Sequence, residues 1–531
     1  MKKGFFCWLL TLTLMLFTAC GDDEVYDNTQ NQEDQGTTLT GKDIVVTVDE
    51  KGNIKGHRFI RIDDTHFYID GVKYYRTEHR TLYVNGYDKS SFKGAANIIA
   101  TLECDNGQIF NVTEISPNAF ENCKEMTSVS IPSTVTYIGS DAFMGCDALK
   151  NASFVSLKSL CSIFYGNENS NPLYLTHNLF IDGVEIKGEL ELPDSRENYV
   201  IGPYVFYGYR GLSSVKIPYN VTGIGAYAFY GCDDLTTITI NSNAVASNEY
   251  SESNGFREMF GKQVLNYIFG DNVTSLGRNL CSNCTELTSV TIPISVKSIG
   301  KDAFVGCQKL SIVDFASFES FINMDFGLGW SNPLWFTHRL YIAGKEIKDL
   351  VIPKSVKNIE NLRGFGVDIN SIVVEYENPQ YDSRDGCNAI IESESNTLVS
   401  GCKNTIIPNS VIMIDNFAFR NCEGLSSITV PNSVTSIGYY SFAGCSSLTN
   451  VAIGKNVTEI CGGAFSDCRN LKDFSCYAII PPNVVNEEDN IDNTFFGTDI
   501  LKVTLHVPVS SIDSYKVKEP WSQFGSIVAI E

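Results

Sequence analysis

The sequence predicts a β-rich solenoid built of short stacked units. Three observations predict it. A spacing of 23 residues returns with the same side chains: Ile115, Phe120, Cys123 and Met126 are followed by Ile138, Phe143, Cys146 and Leu149. The set recurs at Ile201/Phe206/Leu212, Ile224/Phe229/Cys232/Leu235, Leu276/Cys284/Leu287 and Ile299/Phe304/Cys307/Leu310. It then runs unbroken through Ile414/Phe419/Cys422, Ile437/Phe442/Cys445 and Ile460/Phe465/Cys468. A period of roughly 20–50 residues marks stacked supersecondary units. Second, each unit is too short to bury its own apolar side chains. Its partners are the same residues in the units on either side, so stability is a sum over neighbours. Third, 531 residues could hold several ordinary domains, yet nothing between units reads as a linker.

Each element of the repeat has a reason. The Ala-Phe-x-x-Cys segment places a large ring and a small apolar group three residues apart, as in Ala119-Phe120 and Cys123. The following Leu-x-x-Val-x-Ile-Pro alternates apolar with polar, the pattern of a strand with one buried face. Its outward positions are small and hydroxylated, among them Ser128, Ser130, Ser214, Thr237, Thr239, Ser289, Thr291, Ser427 and Thr429. The phenylalanines 120, 143, 206, 229, 304, 419, 442 and 465 are expected to form one interior column. One short parallel strand per unit is expected, with little helix beyond single turns at the Ala-Phe segments.

Some nine recurring positions, from Ile-Gly to the Val after Ile-Pro, resemble the BspA-like subfamily of bacterial surface leucine-rich-repeat proteins. The resemblance covers most of residues 114–480. It implies a right-handed leucine-rich-repeat solenoid with capped ends. Two further stretches are similar to that group: Leu505, Pro508, Tyr515, Pro520-Trp521 and Phe524 as a C-terminal cap, and Asn378, Tyr381, Arg384, Cys387 to Cys402 as an insertion. Tyr209 stands where Cys is expected, and Cys281 where Phe is.

The chain divides accordingly. Lys2-Lys3, the apolar run Phe5 to Phe17 and Thr18-Ala19 form a signal peptide over 1–19. Cys20 at the cut looks like a lipobox cysteine that would be acylated. Asp22, Asp23 and Glu24 resemble the acidic signal that sends lipoproteins of Bacteroides-like bacteria to the outer face of the outer membrane. Residues 20–41 are the lipidated Cys and a polar flexible tether with a reach of roughly 25 Å. Residues 42–113 are an N-terminal β-cap, with strands at 44–48, 67–69 and 81–84 and turns at Asp70-Gly71 and Asn85-Gly86. The repeats occupy 114–480, with insertions near 150–199, 243–273, 311–358 and 375–405, and 481–531 form the C-terminal cap. The insertions after Cys146 and Cys307 are copies. Asn171-Pro-Leu, His177 and Glu185 recur 161 residues on as Asn332-Pro-Leu, His338 and Glu346, and the two histidines are expected to make structural hydrogen bonds.

Composition excludes several functions. A net charge of −22 disfavours nucleic acid and anionic membrane surfaces. The expected membrane link is the lipid anchor alone. Eight of the 17 cysteines hold the one repeat position, which reads as buried free thiols rather than a disulfide or metal framework. Cys387 and Cys402 differ: if residues 391 and 398 face each other across the 393–396 turn, so do these two, which makes them a candidate disulfide. No zincin, nucleophile-elbow, phosphate-loop, dinucleotide or calcium-loop motif is present. The expectation is therefore a non-catalytic, monomeric surface protein with no cofactor or metal. The resemblance implies an extracellular protein ligand, from host matrix or another cell surface. A glycan-capture lipoprotein is the second reading. Candidate binding anchors are Tyr174, Trp330, Trp335 and Phe336, because aromatics dominate hot spots.

Overall fold

The computed structural model describes residues 53–55, 57–327, 331–364, 368–485 and 494–530. The chain is a strand-rich repeat protein. Signal peptide, lipobox, acidic signal, tether, the 44–48 strand and Trp330 lie outside the described residues.

The 23-residue spacing becomes strand register. Val129 pairs with Ala152 and Ile131 with Phe154, so Met126–Ile131 and Asn151–Phe154 run parallel. The same holds for Val215 with Ile238 and for Val451 with Phe474. Side chains alternate along a strand, which turns Ile428 and Val430 inward and Ser427 and Thr429 to solvent.

The repeat carries two parallel ladders, not the expected one. The second runs from the end of Ile109–Ile115 through strands of two or three residues at the Ile-Gly position: Ile115 pairs with Ile138, Ile138 with Tyr165, Ile414 with Ile437 and Ile437 with Ile460. Ile-Gly is extended there because its glycine packs directly on the preceding unit. A Cβ at Gly139 would lie 2.4 Å from Pro117 N, and one at Gly438 would lie 2.6 Å from Asn416 N.

The eight phenylalanines turn inward as expected, but they are divided between two cores, Phe120 to Phe304 in one and Phe419 to Phe465 in the other. All eight rings are buried. Phe120 stacks on Phe143 at 5.5 Å, Phe206 on Phe229 at 4.8 Å, Phe419 on Phe442 at 4.9 Å and Phe442 on Phe465 at 5.1 Å. The cysteine column has a polar role besides its size. Cys146 Sγ donates to Phe120 O at 3.1 Å, Cys232 to Phe206 O at 3.0 Å, Cys445 to Phe419 O at 3.1 Å and Cys468 to Phe442 O at 3.2 Å. Each of these carbonyls also accepts a backbone N–H within its own turn, as Phe120 O does from Cys123 N at 3.0 Å, so the thiol adds a second, inter-unit hydrogen bond to it. Tyr209 fills the same position differently, its hydroxyl donating to Ile186 O.

The Ala-Phe segments are turns, and the short helices sit in the insertions instead. Leu157–Cys161 and Phe318–Ile322 begin at Ser156 and Ser317, each in a reciprocal capping box. The two copies continue alike through Pro172–Thr176 and Leu334–Thr337. Both end in a left-handed histidine, and His177 Nδ1 lies 3.0 Å from Gly208 O. The 243–273 excursion is a complete unit: Asn266–Phe269 joins the ladder between Thr237–Ile240 and Ser289–Ile292, and Phe260 stacks on Phe229.

In the N-terminal part, His57–Arg61, His66–Ile69, Val72–Arg76 and Thr81–Tyr87 form an antiparallel meander that joins the repeats through Ile109–Ile115. Asp70-Gly71 is the expected turn. Asn85-Gly86 is not: it lies inside Thr81–Tyr87, opposite Lys73. At the other end, Thr504–Val507 and Ser526–Ala529 extend the long ladder over buried Tyr515, Trp521 and Phe524.

The expected hairpin at 389–401 forms, but a bulge between Ile390 and Ile391 shifts its register. Ile391 still faces Leu398, whereas Ala389 faces Gly401, so Cys387 and Cys402 are not opposed. Both thiols are free and buried, with Cys402 Sγ 3.3 Å from Asn388 O and Cys387 Sγ 3.7 Å from Ala389 O. This hairpin also divides the interior. Ile390, Val399 and Cys402 belong to the apolar core that begins at Phe67, while Cys387, Ala389, Ile391 and Leu398 belong to a second core that reaches Phe524.

Candidate functional site

The units that make an Ala-Phe-x-x-Cys type of turn use two left-handed residues, one two positions before the ring and one just before the cysteine position. The first is Asn118, Asp141, Asn279 or Asp302 in four units, residues that tolerate this conformation through short polar side chains. In four others it is Tyr204, Tyr227, Phe417 or Tyr440. Aromatic residues adopt positive φ only against backbone strain of about 1–3 kcal/mol.

The first pair of these residues belongs to a tyrosine array. Tyr204 stacks on Tyr227 at 5.4 Å, and Tyr207 on Tyr230 at 6.0 Å. Both pairs differ by one period, which superposes them. Within each unit the rings meet edge to face, Tyr204 with Tyr207 at 5.6 Å and Tyr227 with Tyr230 at 5.5 Å. Tyr174 joins from the insertion helix, 5.3 Å from Tyr207. It can do so because Gly208 is left-handed and has no side chain: a Cβ there would lie 2.6 Å from Tyr174 Cδ2. The phenylalanine between each pair, Phe206 or Phe229, points inward and anchors the turn.

Five rings therefore form one surface, with Tyr174 39 % and Tyr230 40 % exposed. Two carboxylates flank it. The charge of Glu258, together with its hydrogen bond, raises the Tyr227 phenol. Burial, and then the charge of Glu168, raises Tyr204 and Tyr207. The rings are held in place by one another. Such a surface loses little side-chain entropy on contact, since stacked rings have few rotamers left to lose.

The second pair is different. Phe417 stacks on Tyr440 at 5.8 Å, and the Arg420 guanidinium sits 4.4 Å from the Trp335 ring centre and 5.5 Å from that of Phe417. Trp335 and Phe336 are half-buried and pack on the first core. A ring face covered by arginine is engaged within the protein. Of the three expected anchors among the described residues, Tyr174 alone joins an open aromatic surface; Trp335 and Phe336 stand at the junction between the two cores. Sequence reading looked for aromatics on the strand face and in the insertions, and so passed over Tyr204, Tyr207, Tyr227 and Tyr230. The signal was present as two tyrosine pairs separated by 23 residues.

Among the described residues no group of three or more His, Cys, Asp or Glu side chains could hold a metal ion. No helix of the described residues is long and apolar enough to cross a membrane.

A family model described as BspA type leucine rich repeat region (six copies) matches residues 99–186, 176–311 and 391–519. No curated protein matches the chain. Among solved structures, a leucine rich cell surface protein from Faecalibacterium prausnitzii is similar at 20% identity, over 88% of this chain and 95% of its own, with a TM-score of 0.29. A leucine-rich repeat protein from Bacteroides ovatus is similar at 20% identity, over 77% and 94%, with a TM-score of 0.39. The pneumococcal vaccine antigen PcpA is similar at 12% identity, over 89% and 98%, with a TM-score of 0.17.

Proposed function

The chain belongs to the BspA-type leucine-rich-repeat family, and from that premise we propose that it is a non-catalytic cell-surface binding protein whose contact surface includes the tyrosine array. The observation that carries the reading is the array itself, five tyrosines joined by stacked and edge-to-face contacts, two of which, Tyr204 and Tyr227, occupy a left-handed position that other units fill with Asn or Asp. Rings of this kind are the usual energetic centres of protein interfaces. The ligand class is an extracellular protein of host matrix or another cell surface.

In this reading the repeats form a right-handed curved solenoid, with 42–113 and 481–531 as its caps and the protein as a monomer. Cys20 carries the acyl chains, and Asp22, Asp23 and Glu24 direct the lipoprotein to the outer face of the outer membrane. Cys20→Ala should move the protein from the membrane fraction to the soluble fraction; continued sedimentation with membranes would contradict the anchor.

Binding is tested by exposing purified protein to an array of extracellular-matrix and cell-surface proteins. For a ligand so found, Tyr174→Ala and Tyr230→Ala should each weaken affinity by more than ~1 kcal/mol, about fivefold. Both side chains are partly exposed, so circular dichroism and thermal unfolding should stay close to the parent. Unchanged affinity in both variants would remove the array from the interface. Saturable binding of a defined oligosaccharide at the array, with no protein ligand, would replace this reading with glycan capture.

A further inference from the structure

The tyrosine array has a counterpart at the junction of the two cores, and there the rings hold a cation. Tyr174 and Trp335 are copies of one insertion position, 161 residues apart. Tyr204, Tyr227 and Phe417 share one repeat position, two residues before the buried rings Phe206, Phe229 and Phe419. Just after those buried rings the array has Tyr207 and Tyr230, and the counterpart has Arg420. The Arg420 guanidinium lies over both Trp335 and Phe417. The chain thus covers one cluster of rings with its own arginine. Among the described residues, no arginine or lysine lies over the rings of the array.

The charge around the array is negative, and the stacking of the units places it. Phe120 N–H donates to Ala142 O and Phe143 N–H to Asn169 O, so Glu168 stands where Asp141 stands one unit earlier. Asn171, three residues on, donates to Tyr204 O and Val205 O, so the next unit is that of the array. At the other end, Phe206 N–H donates to Ala228 O and Phe229 N–H to Met259 O, so Glu258 stands where Tyr227 does. The two carboxylates therefore continue the Tyr204–Tyr227 column at its two ends. Both are half-buried, and neither is held in an ion pair among the described residues. Arg257, beside Glu258 in the chain, is exposed. Every charge that acts on Tyr204, Tyr207 and Tyr227 comes from one of the two glutamates or from a neighbouring phenol. Ring faces are themselves electron-rich, and carboxylates beside them deepen that potential.

Resting on the reading that the array is a contact surface, we propose that it takes a cationic segment of the partner protein, whose arginine or lysine side chains lie over the tyrosine faces and pair with Glu168 and Glu258. Arginine suits the site better than lysine, because a planar guanidinium stacks on a ring while its edge donates to a carboxylate. A neutral segment could cover the same rings, but it would take water from the two carboxylates and give them no partner. The net charge of −22 also draws a basic segment from a distance.

The test is panning of a random dodecapeptide display library on the full chain, followed by affinity measurement of the enriched peptides. Peptides that weaken in Tyr230→Ala are those bound at the array, and they should carry arginine or lysine. Replacing their arginines by citrulline, a neutral group of the same shape, should weaken binding by about fivefold or more. The double variant Glu168→Gln, Glu258→Gln should weaken the arginine peptides by a similar factor and leave the citrulline peptides unchanged. Glu394→Gln, at an exposed side chain on the 389–401 hairpin, should leave both unchanged. Array binders without a basic residue, or citrulline peptides that bind as well as their parents, would overturn the cationic partner and leave the array a contact surface. Basic peptides indifferent to Tyr230→Ala, or no array-dependent binder at all, would overturn both.

Discussion

Raising the pH from 8 to 10.5 should lower the urea midpoint of unfolding steeply, with the loss beginning near pH 9. Burial pushes the Cys161, Cys422 and Cys468 thiols up to about 12 and the Cys476 thiol up to about 11, from an ordinary 9.0. The folded state therefore binds these protons more tightly than the unfolded chain. Below pH 9 both states are protonated and the stability is fully present. Above it the unfolded chain ionises first and gains free energy that the folded chain cannot match until its own raised values are reached. Each group removes about 1.4 kcal/mol per pH unit in that window. Four such groups together approach the whole stability of a typical domain, roughly 5–15 kcal/mol, within two pH units. Raised phenols such as that of Tyr250, pushed by burial up to about 12, act in the same direction from pH 10 upward. A midpoint that stays level from pH 8 to 10.5 would show that these four thiols are not buried as described.

Phe442→Ala should destabilise the protein by about 3–5 kcal/mol, the range for a fully buried phenylalanine truncated in a core. Phe442 has no exposed surface and lies nearly parallel to both Phe419 and Phe465, with interplanar angles of 9° and 2°. The cavity cannot collapse easily, because its walls are rings held by the 23-residue register of two strands on each side. Stacked units contact only their neighbours, so the lesion should be felt locally. The second core, running from the 387–402 hairpin to Phe524, should open before the first. Urea unfolding followed by hydrogen exchange reads both the size and the place of the effect. Phe496→Ala, at a side chain 72 % exposed, should stay within about 0.5 kcal/mol of the parent. A loss below about 1 kcal/mol for Phe442→Ala would contradict the column.

Much of the architecture can be read from the chain because repetition encodes it locally. A residue 23 positions from its twin has its twin for a neighbour, so Phe120 over Phe143 and Val129 beside Ala152 follow from spacing alone. The inward position of the cysteines follows as well, from their small size and fixed place. Their hydrogen bonds to the preceding unit do not, since a carbonyl 26 residues back is brought to the thiol only by the stacking geometry. The second ladder escaped notice because two-residue strands leave no alternation to detect.

The candidate site was legible only in part. Tyr174 was singled out from the sequence, and its partners were not. Tyr207 and Tyr230 lie on a turn, where side-chain direction depends on two left-handed residues rather than on strand alternation. Tyr174 reaches them through an insertion whose docking is set by Gly208 and by His177 on Gly208 O. Trp335 went the other way: an aromatic in a polar insertion reads as a contact, yet Arg420 from a distant unit covers its ring. The Cys387 and Cys402 pairing failed on a single bulged residue, because a hairpin's register reverses its facing pairs with every extra residue.

What the sequence determined by itself is the period, the interior columns and the family, since each rests on side chains that recur at one spacing and bury one another. What only the tertiary structure decided is where that regularity is broken: which tyrosines gather into one surface, which tryptophan is covered, and where one core ends and the next begins. The physical reason is that insertions dock through single long-range contacts. Those contacts depend on the shape of the stack they land on, and no periodicity in the chain records it.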